Sequence, residues 1–212
     1  MTAQIGDIYK INDKRYSLVA RSGNVVFDPK SYGLEPHARC TACYRGYWCE
    51  YTILEEELIL QNLFIFNKDE HYPPFNGVEV TPPEFNEYDC DAGKGKRKKV
   101  TLPAHLGHRV YRDVNLTIPF SGKILLGSDF MQEYYIHMGY QRGWGYKKLI
   151  ELVFDEGLLM ESCDMSAFAE AQREAIKQKK LDPRWPDYDD VRKFVEDCFS
   201  LNYSDKVWWL DS

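Results

Sequence analysis

A chain of 212 residues with 44% hydrophobic and 15% aromatic side chains carries enough apolar material for one large core or two modest ones, which excludes a disordered polypeptide. Its 33 acidic against 27 basic residues give a net charge of −6, which argues against nucleic acid or an anionic membrane as the main partner and favours a basic one. No apolar run approaches the roughly 18 residues that span a bilayer, and the start Met1-Thr2-Ala3-Gln4-Ile5-Gly6-Asp7 lacks the basic and apolar stretches of a signal peptide, so a cytoplasmic protein with six reduced cysteines is expected.

In chain order, Ile8 to Ile11 and Tyr16 to Ala20 alternate apolar and polar residues around Asn12-Asp13-Lys14, a hairpin pattern, and a third strand is expected at Val25 to Phe27. Pro29 to Tyr47 has no sustained period. Tyr51 to Leu54 and Leu58 to Phe66, rich in β-forming residues, flank the acidic turn Glu55-Glu56-Glu57 and predict a second hairpin. From residue 67 to 108 the chain is polar and punctuated by Pro73-Pro74, Asn76-Gly77 and Pro82-Pro83, with a basic run from Lys94 to Lys99, which reads as a long connection.

Strands are expected again at Val114 to Pro119 and Lys123 to Leu126. Asp129 to Ile150 then carries helical spacing through Phe130, Tyr134, His137, Met138 and Gln141, with Ser128 or Asp129 as N-cap and a break at Gly139, Gly143 and Gly145. A hairpin follows at Leu152 to Met160. Ser166 to Lys180 is an amphipathic helix ended by Leu181-Asp182-Pro183, and Asp190 to Phe199 a second, capped by Asp189 or Asp190. Val207-Trp208-Trp209-Leu210 is too apolar to be left in water and is expected to dock on the body.

The chain also matches itself about one hundred residues further on. Ile53-Leu54-Glu55-Glu56-Glu57-Leu58-Ile59-Leu60 returns as Val153-Phe154-Asp155-Glu156-Gly157-Leu158-Leu159-Met160, Ser22 to Asp28 resembles Ser121 to Asp129, and Tyr44-Arg45-Gly46 with Trp48 resembles Gln141-Arg142-Gly143-Trp144. Three matches in one order predict that residues 22 to 66 and 121 to 160 are copies of one topology. The expected fold is therefore α+β: a first β-rich repeat (1–66), a connection (67–108), a second repeat with a helix at about 129–150 (109–162), and a C-terminal helical segment (163–212).

Chemistry-bearing residues are few. His37, Cys40, Cys43 and Cys49 stand as H-x2-C-x2-C-x5-C, with Cys90 further on, and one close cysteine pair is half of a zinc site. The other half is irregular, so small buried thiols are the expected reading, no cofactor is expected, and zinc is the alternative. His105-Leu106-Gly107-His108 reads as two solvated loop histidines, and His137 as a half-buried one. Phosphate loops, nucleophile elbows and dinucleotide fingerprints are absent, which disfavours an enzyme. The aromatic and arginine residues of the matching segments, Tyr44, Arg45, Trp48, Tyr140, Arg142 and Trp144, are of the types enriched at interface hot spots and are the expected partner-binding residues. The sequence thus points to a non-enzymatic protein-binding module, of the immunity, inhibitor or anti-defence kind, acting on a basic partner by surface complementarity. A metal- or Cys/His-dependent hydrolase, and a small-ligand or nucleotide sensor with a pocket between the halves, are the alternatives.

Overall fold

Alternation of apolar and polar residues around short turns builds the first strands, as expected. The computed structural model describes residues 2–91, 97–182, 184 and 191–207. In it β1 (Ile8–Ile11) and β2 (Lys14–Arg21) form a hairpin whose turn is Asn12-Asp13, both with positive φ. β3 (Tyr47–Leu54) and β4 (Glu57–Ile65) form a second hairpin around Glu55-Glu56. β5 (Phe85–Asp91) and β6 (Arg97–Pro103) make a separate two-stranded ribbon within the expected connection, so that stretch has regular structure of its own. β7 (Arg109–Tyr111) and β8 (Leu116–Thr117) are short, and β9 (Gly122–Phe130), β10 (Tyr146–Asp155) and β11 (Leu158–Asp164) form an antiparallel meander.

The order β11-β10-β9-β2-β1-β3-β4, with β4 returning to β11, closes these strands into a barrel. Neighbours are antiparallel except β1 and β3, which run parallel. β7 and β8 pair along β4. Tyr9, Tyr51, Leu60, Leu126, Leu152 and Phe154 fill the interior, with the rings of Tyr9 and Tyr51 stacked at 4.8 Å. Helices α1 (Ser166–Gln178) and α3 (Tyr203–Val207) cover the outer face of β2, β9 and β10, where Val19, Ala20, Leu125 and Leu149 pack against Ala169 and Tyr203. That double cover explains why β9 carries the unbroken apolar run Ile124-Leu125-Leu126: both faces are buried. Helix α2 (Val191–Phe199) packs Phe194 and Cys198 on Ile136.

Several expectations are corrected. Val25 to Phe27 is irregular, although Val26 and Phe27 are buried and the Phe27 carbonyl accepts the Tyr47 hydroxyl at 3.0 Å. Val114 to Pro119 yields only the short β8. No helix occupies 129–150. The segment is the end of β9, two 3-10 turns at Gln132–Tyr134 and Gly143–Gly145, and the start of β10. Glycine decides this locally: a Cβ on Gly145 would lie 2.8 Å from the Phe130 ring, and Gly139 has φ +61° with Cys198 backbone against it, so both positions need close approach rather than a helical turn. The α1 and α2 helices fall where expected. The caps at Asp189 or Asp190, part of the basic run, and Trp208 to Leu210 lie outside the described residues.

The topology shared by the two matching segments is confined to their hairpins. Both turns place two consecutive residues at positive φ, Glu55-Glu56 and Glu156-Gly157, the signature of a type I′ turn. Turn position equates Glu56, not Glu57, with Gly157. The preceding segments differ, since 22–46 is irregular apart from a short 3-10 turn while 122–130 is β9, and β3 borders a parallel neighbour while β10 borders an antiparallel one.

Candidate functional site

Four of the six expected partner-binding residues, Trp48, Tyr140, Arg142 and Trp144, are buried, and Arg45 is half-buried. Arg45 donates two hydrogen bonds to the buried Asp7 carboxylate, at 2.8 and 3.1 Å, and lies over the Tyr47 ring. Asp7 also accepts the Cys49 amide at 2.9 Å, so this ion pair ties the loop before β3 to β1. Trp48 is buried and stacks on Phe64 at 3.6 Å. Tyr140 and Arg142 are buried, Arg142 donating to the Asp205 carbonyl, and Trp144 is fully enclosed by Tyr134 and Ile176. Tyr44 alone is open to solvent. The reason is architectural: Trp48 lies on β3 and packs on Phe64 of β4, and Trp144, just before β10, is covered by Ile176 of α1, so these large side chains serve packing.

The candidate metal ligands do not converge. Cys43 lies in a cluster with Trp48, Phe64 and Val110, its Sγ donating to the Tyr47 carbonyl at 3.3 Å, and burial pushes its thiol up to about 11. Cys49 sits in the main core, where burial also raises its thiol. His37 and Cys90 are exposed, Cys90 on the β5–β6 ribbon, and Cys40 is half-buried. Among the described residues no three His, Cys, Asp or Glu side chains form a group able to hold a metal ion, and all six cysteines are unbridged. His137, read as half-buried, stands exposed against the Tyr135 ring. His108, read as solvated, is buried. Its Nδ1 lies 2.7 Å from the His105 carbonyl, which only accepts, so Nδ1 carries the proton, and burial lowers its pKa.

The surface that stands out lies where the two hairpin turns meet. Glu57 and Leu158 sit opposite one another, the Leu58 amide donates to the Gly157 carbonyl at 2.9 Å, and the Leu159 amide donates to the Glu56 carbonyl at 2.7 Å. Because Leu54 pairs with Glu57, and Leu158 with Asp155, one outward row runs Leu54–Glu57–Leu158–Asp155 across four strands. Directly opposite side chains in such a row have Cβ atoms about 4.5–5.5 Å apart. Leu54, Leu158 and Met160 are 63%, 47% and 61% exposed. Around them stand the exposed carboxylates of Glu55, Glu56, Glu57, Asp155, Glu156 and Glu161. None of the six forms an ion pair with a described residue; Ser121 Oγ lies 3.2 Å from Asp155, and Lys123, further along, is tied to Glu151 at 3.0 Å.

This arrangement carries an unmet electrostatic demand and an unmet hydrophobic one. Fully burying a Leu or Met side chain is worth roughly 1.5–3 kcal/mol, and carboxylates clustered around the row repel one another. A docked surface that supplied cations and apolar contact would satisfy both. The two acidic turns are visible in the sequence as separate turns, but the seam that joins them is a contact between residues about one hundred positions apart and leaves no local signal. Another concavity, an open cleft of about 480 Å³, is lined by Lys30, Leu34, Glu35, His37 and Lys68, with Lys68 paired to Glu35 at 3.6 Å. Among the described residues no helix is long and apolar enough to cross a membrane. No protein-family model, curated protein or solved structure matches this chain.

Proposed function

We propose that this protein is a non-enzymatic binding module that grips a cationic protein partner at the seam of its barrel. The observation that carries the reading is the outward row Leu54–Glu57–Leu158–Asp155, ringed by carboxylates that no described cation neutralises. Steering by the acidic rim would bring a basic surface in, and the three apolar side chains would anchor it. An inhibitor or immunity protein works in this way, by covering a partner rather than transforming it. The unbridged thiols fit a reducing, cytoplasmic setting. The repeat in the sequence fits as well, since a duplicated hairpin would place two copies of one acidic turn side by side.

The test is a chemical-shift titration of the protein with a synthetic ten-residue peptide of alternating Lys and Val. Shifts centred on residues 54–58 and 155–161 support the reading. Shifts centred on Lys30, His37 and Lys68, or none at low salt, overturn it.

A further inference from the structure

Among the described residues one pair closes the barrel. β11 meets β4 at Leu158 opposite Glu57, and beyond that pair β4 turns to β8, with Ile59 opposite Thr117 and Leu60 opposite Leu116. Among the described residues the rest of β11 has one strand neighbour, β10. Its register shows which backbone groups that neighbour uses. The Met165 amide donates to the Leu149 carbonyl, so the pairs Glu151–Cys163 and Val153–Glu161, in step with it, are the hydrogen-bonded ones. Ser162 and Asp164, between them, direct their amides and carbonyls away from β10, toward an edge with no described strand on it. Every residue from Met160 to Asp164 is exposed.

We propose that this edge takes an extended segment of the partner by strand addition, continuing the β4–β11 seam. The inference rests on the proposed function and deepens it, since it names the partner's element: a β-strand with alternating basic and apolar side chains. Continuity and charge argue for it together. A strand laid beside β11 starts where Leu158 and Glu57 already meet, its outward side chains lie beside Glu161, and Asp155 stands one strand further away on β10. Its backbone would satisfy the Ser162 amide and carbonyl, so main-chain bonds supply affinity and the acidic row supplies selectivity.

Ser162→Pro tests the edge itself. Proline on an edge strand removes an amide that faces solvent and leaves the β10 ladder intact, so the variant should keep the melting temperature of the parent within a few degrees. The alternating Lys/Val peptide should bind it about tenfold more weakly, the loss expected for one or two backbone hydrogen bonds. The same peptide N-methylated at alternate residues should lose as much against the parent protein. Amide exchange at Ser162 should slow when the unmodified peptide is added. Unchanged affinity for Ser162→Pro and for the N-methylated peptide, with Glu57→Lys still weakening binding, overturns strand addition and leaves the surface reading standing. Loss on Ser162→Pro with no effect of Glu57→Lys supports the edge and overturns the acidic-row reading. No binding of the unmodified peptide overturns both.

Discussion

The amide of Leu58 donates to the carbonyl of Gly157 at 2.9 Å, a bond between two hairpin turns that lie far apart in the chain. Gly157 is held on both sides, because its own amide donates to the Phe120 carbonyl at 2.9 Å. Its φ is +88°, and a Cβ placed there would lie 2.5 Å from the Ile118 carbonyl oxygen. Gly157 is thus the residue that lets the seam close.

Gly157→Ala should therefore destabilise the protein by roughly 2–4 kcal/mol, from the left-handed conformation and the forced displacement of the Ile118 segment. Urea unfolding gives the number. A change below about 0.5 kcal/mol, the range of ordinary surface substitutions, would mean that the turn relaxes without strain and that the seam is not locked at this position.

Much of the strand content was legible because it is local. The hairpins at β1–β2, β3–β4 and β10–β11 announce themselves by alternation and turn residues, and α1 by its 3.6-residue period. The misread stretch was 129–150, where Phe130, Tyr134 and His137 are spaced like a helix face but belong to a strand end, a 3-10 turn and a loop. Burial of the tryptophans was illegible for another reason: the same side chains suit a hot spot or a core plug, and only the packing of Trp48 on Phe64 and of Trp144 on Ile176 decides. The acidic seam was half legible, as two separate turns without their juxtaposition. Trp48→Ala and Trp144→Ala should each cost roughly 3–5 kcal/mol in stability, as core truncations do. A variant of either that keeps its melting temperature but loses peptide binding would return that residue to the surface.

The Asp7–Arg45 pair is the buried charge whose loss should be felt most. Asp7→Asn leaves the half-buried guanidinium without its carboxylate and should destabilise by about 3 kcal/mol, the low end for a buried pair because water still reaches Arg45. Removing both partners, as Asp7→Asn with Arg45→Met, should recover part of that loss. A double variant no better than the sum of the singles would show that the two residues act independently, contrary to the bidentate geometry.

His108 sets a pH dependence whose sign follows from its surroundings. Burial, opposed by the hydrogen bond to the His105 carbonyl, lowers its pKa, so the folded protein binds this proton less readily than the unfolded chain. Its stabilising effect is complete above the unfolded value, about 6.5, and is lost as pH falls from there toward the lower folded value. His108→Asn, whose amide can still donate to the His105 carbonyl, lacks this titration. The stability difference between parent and variant should therefore shrink on going from pH 7.5 to about 5.5, as followed by urea unfolding. A difference independent of pH would place the histidine in contact with water.

The acidic rim and the apolar row should separate kinetically. Reversing Glu56 and Glu156 to Lys changes a long-range field, so association of the Lys/Val peptide should slow, and slow less as salt shortens the screening length to about 8 Å at physiological ionic strength. Leu158→Ser and Met160→Ser remove contact area that forms only after docking, so they should speed dissociation and leave association nearly unchanged. All four positions are exposed in the free protein, which keeps folding out of the comparison. Stopped-flow fluorescence with a labelled peptide resolves the two rates. If the charge reversals act only on dissociation, the carboxylates make local contacts and no steering field. If the serine variants bind as the parent does, the exposed row anchors nothing, and the partner engages the protein elsewhere.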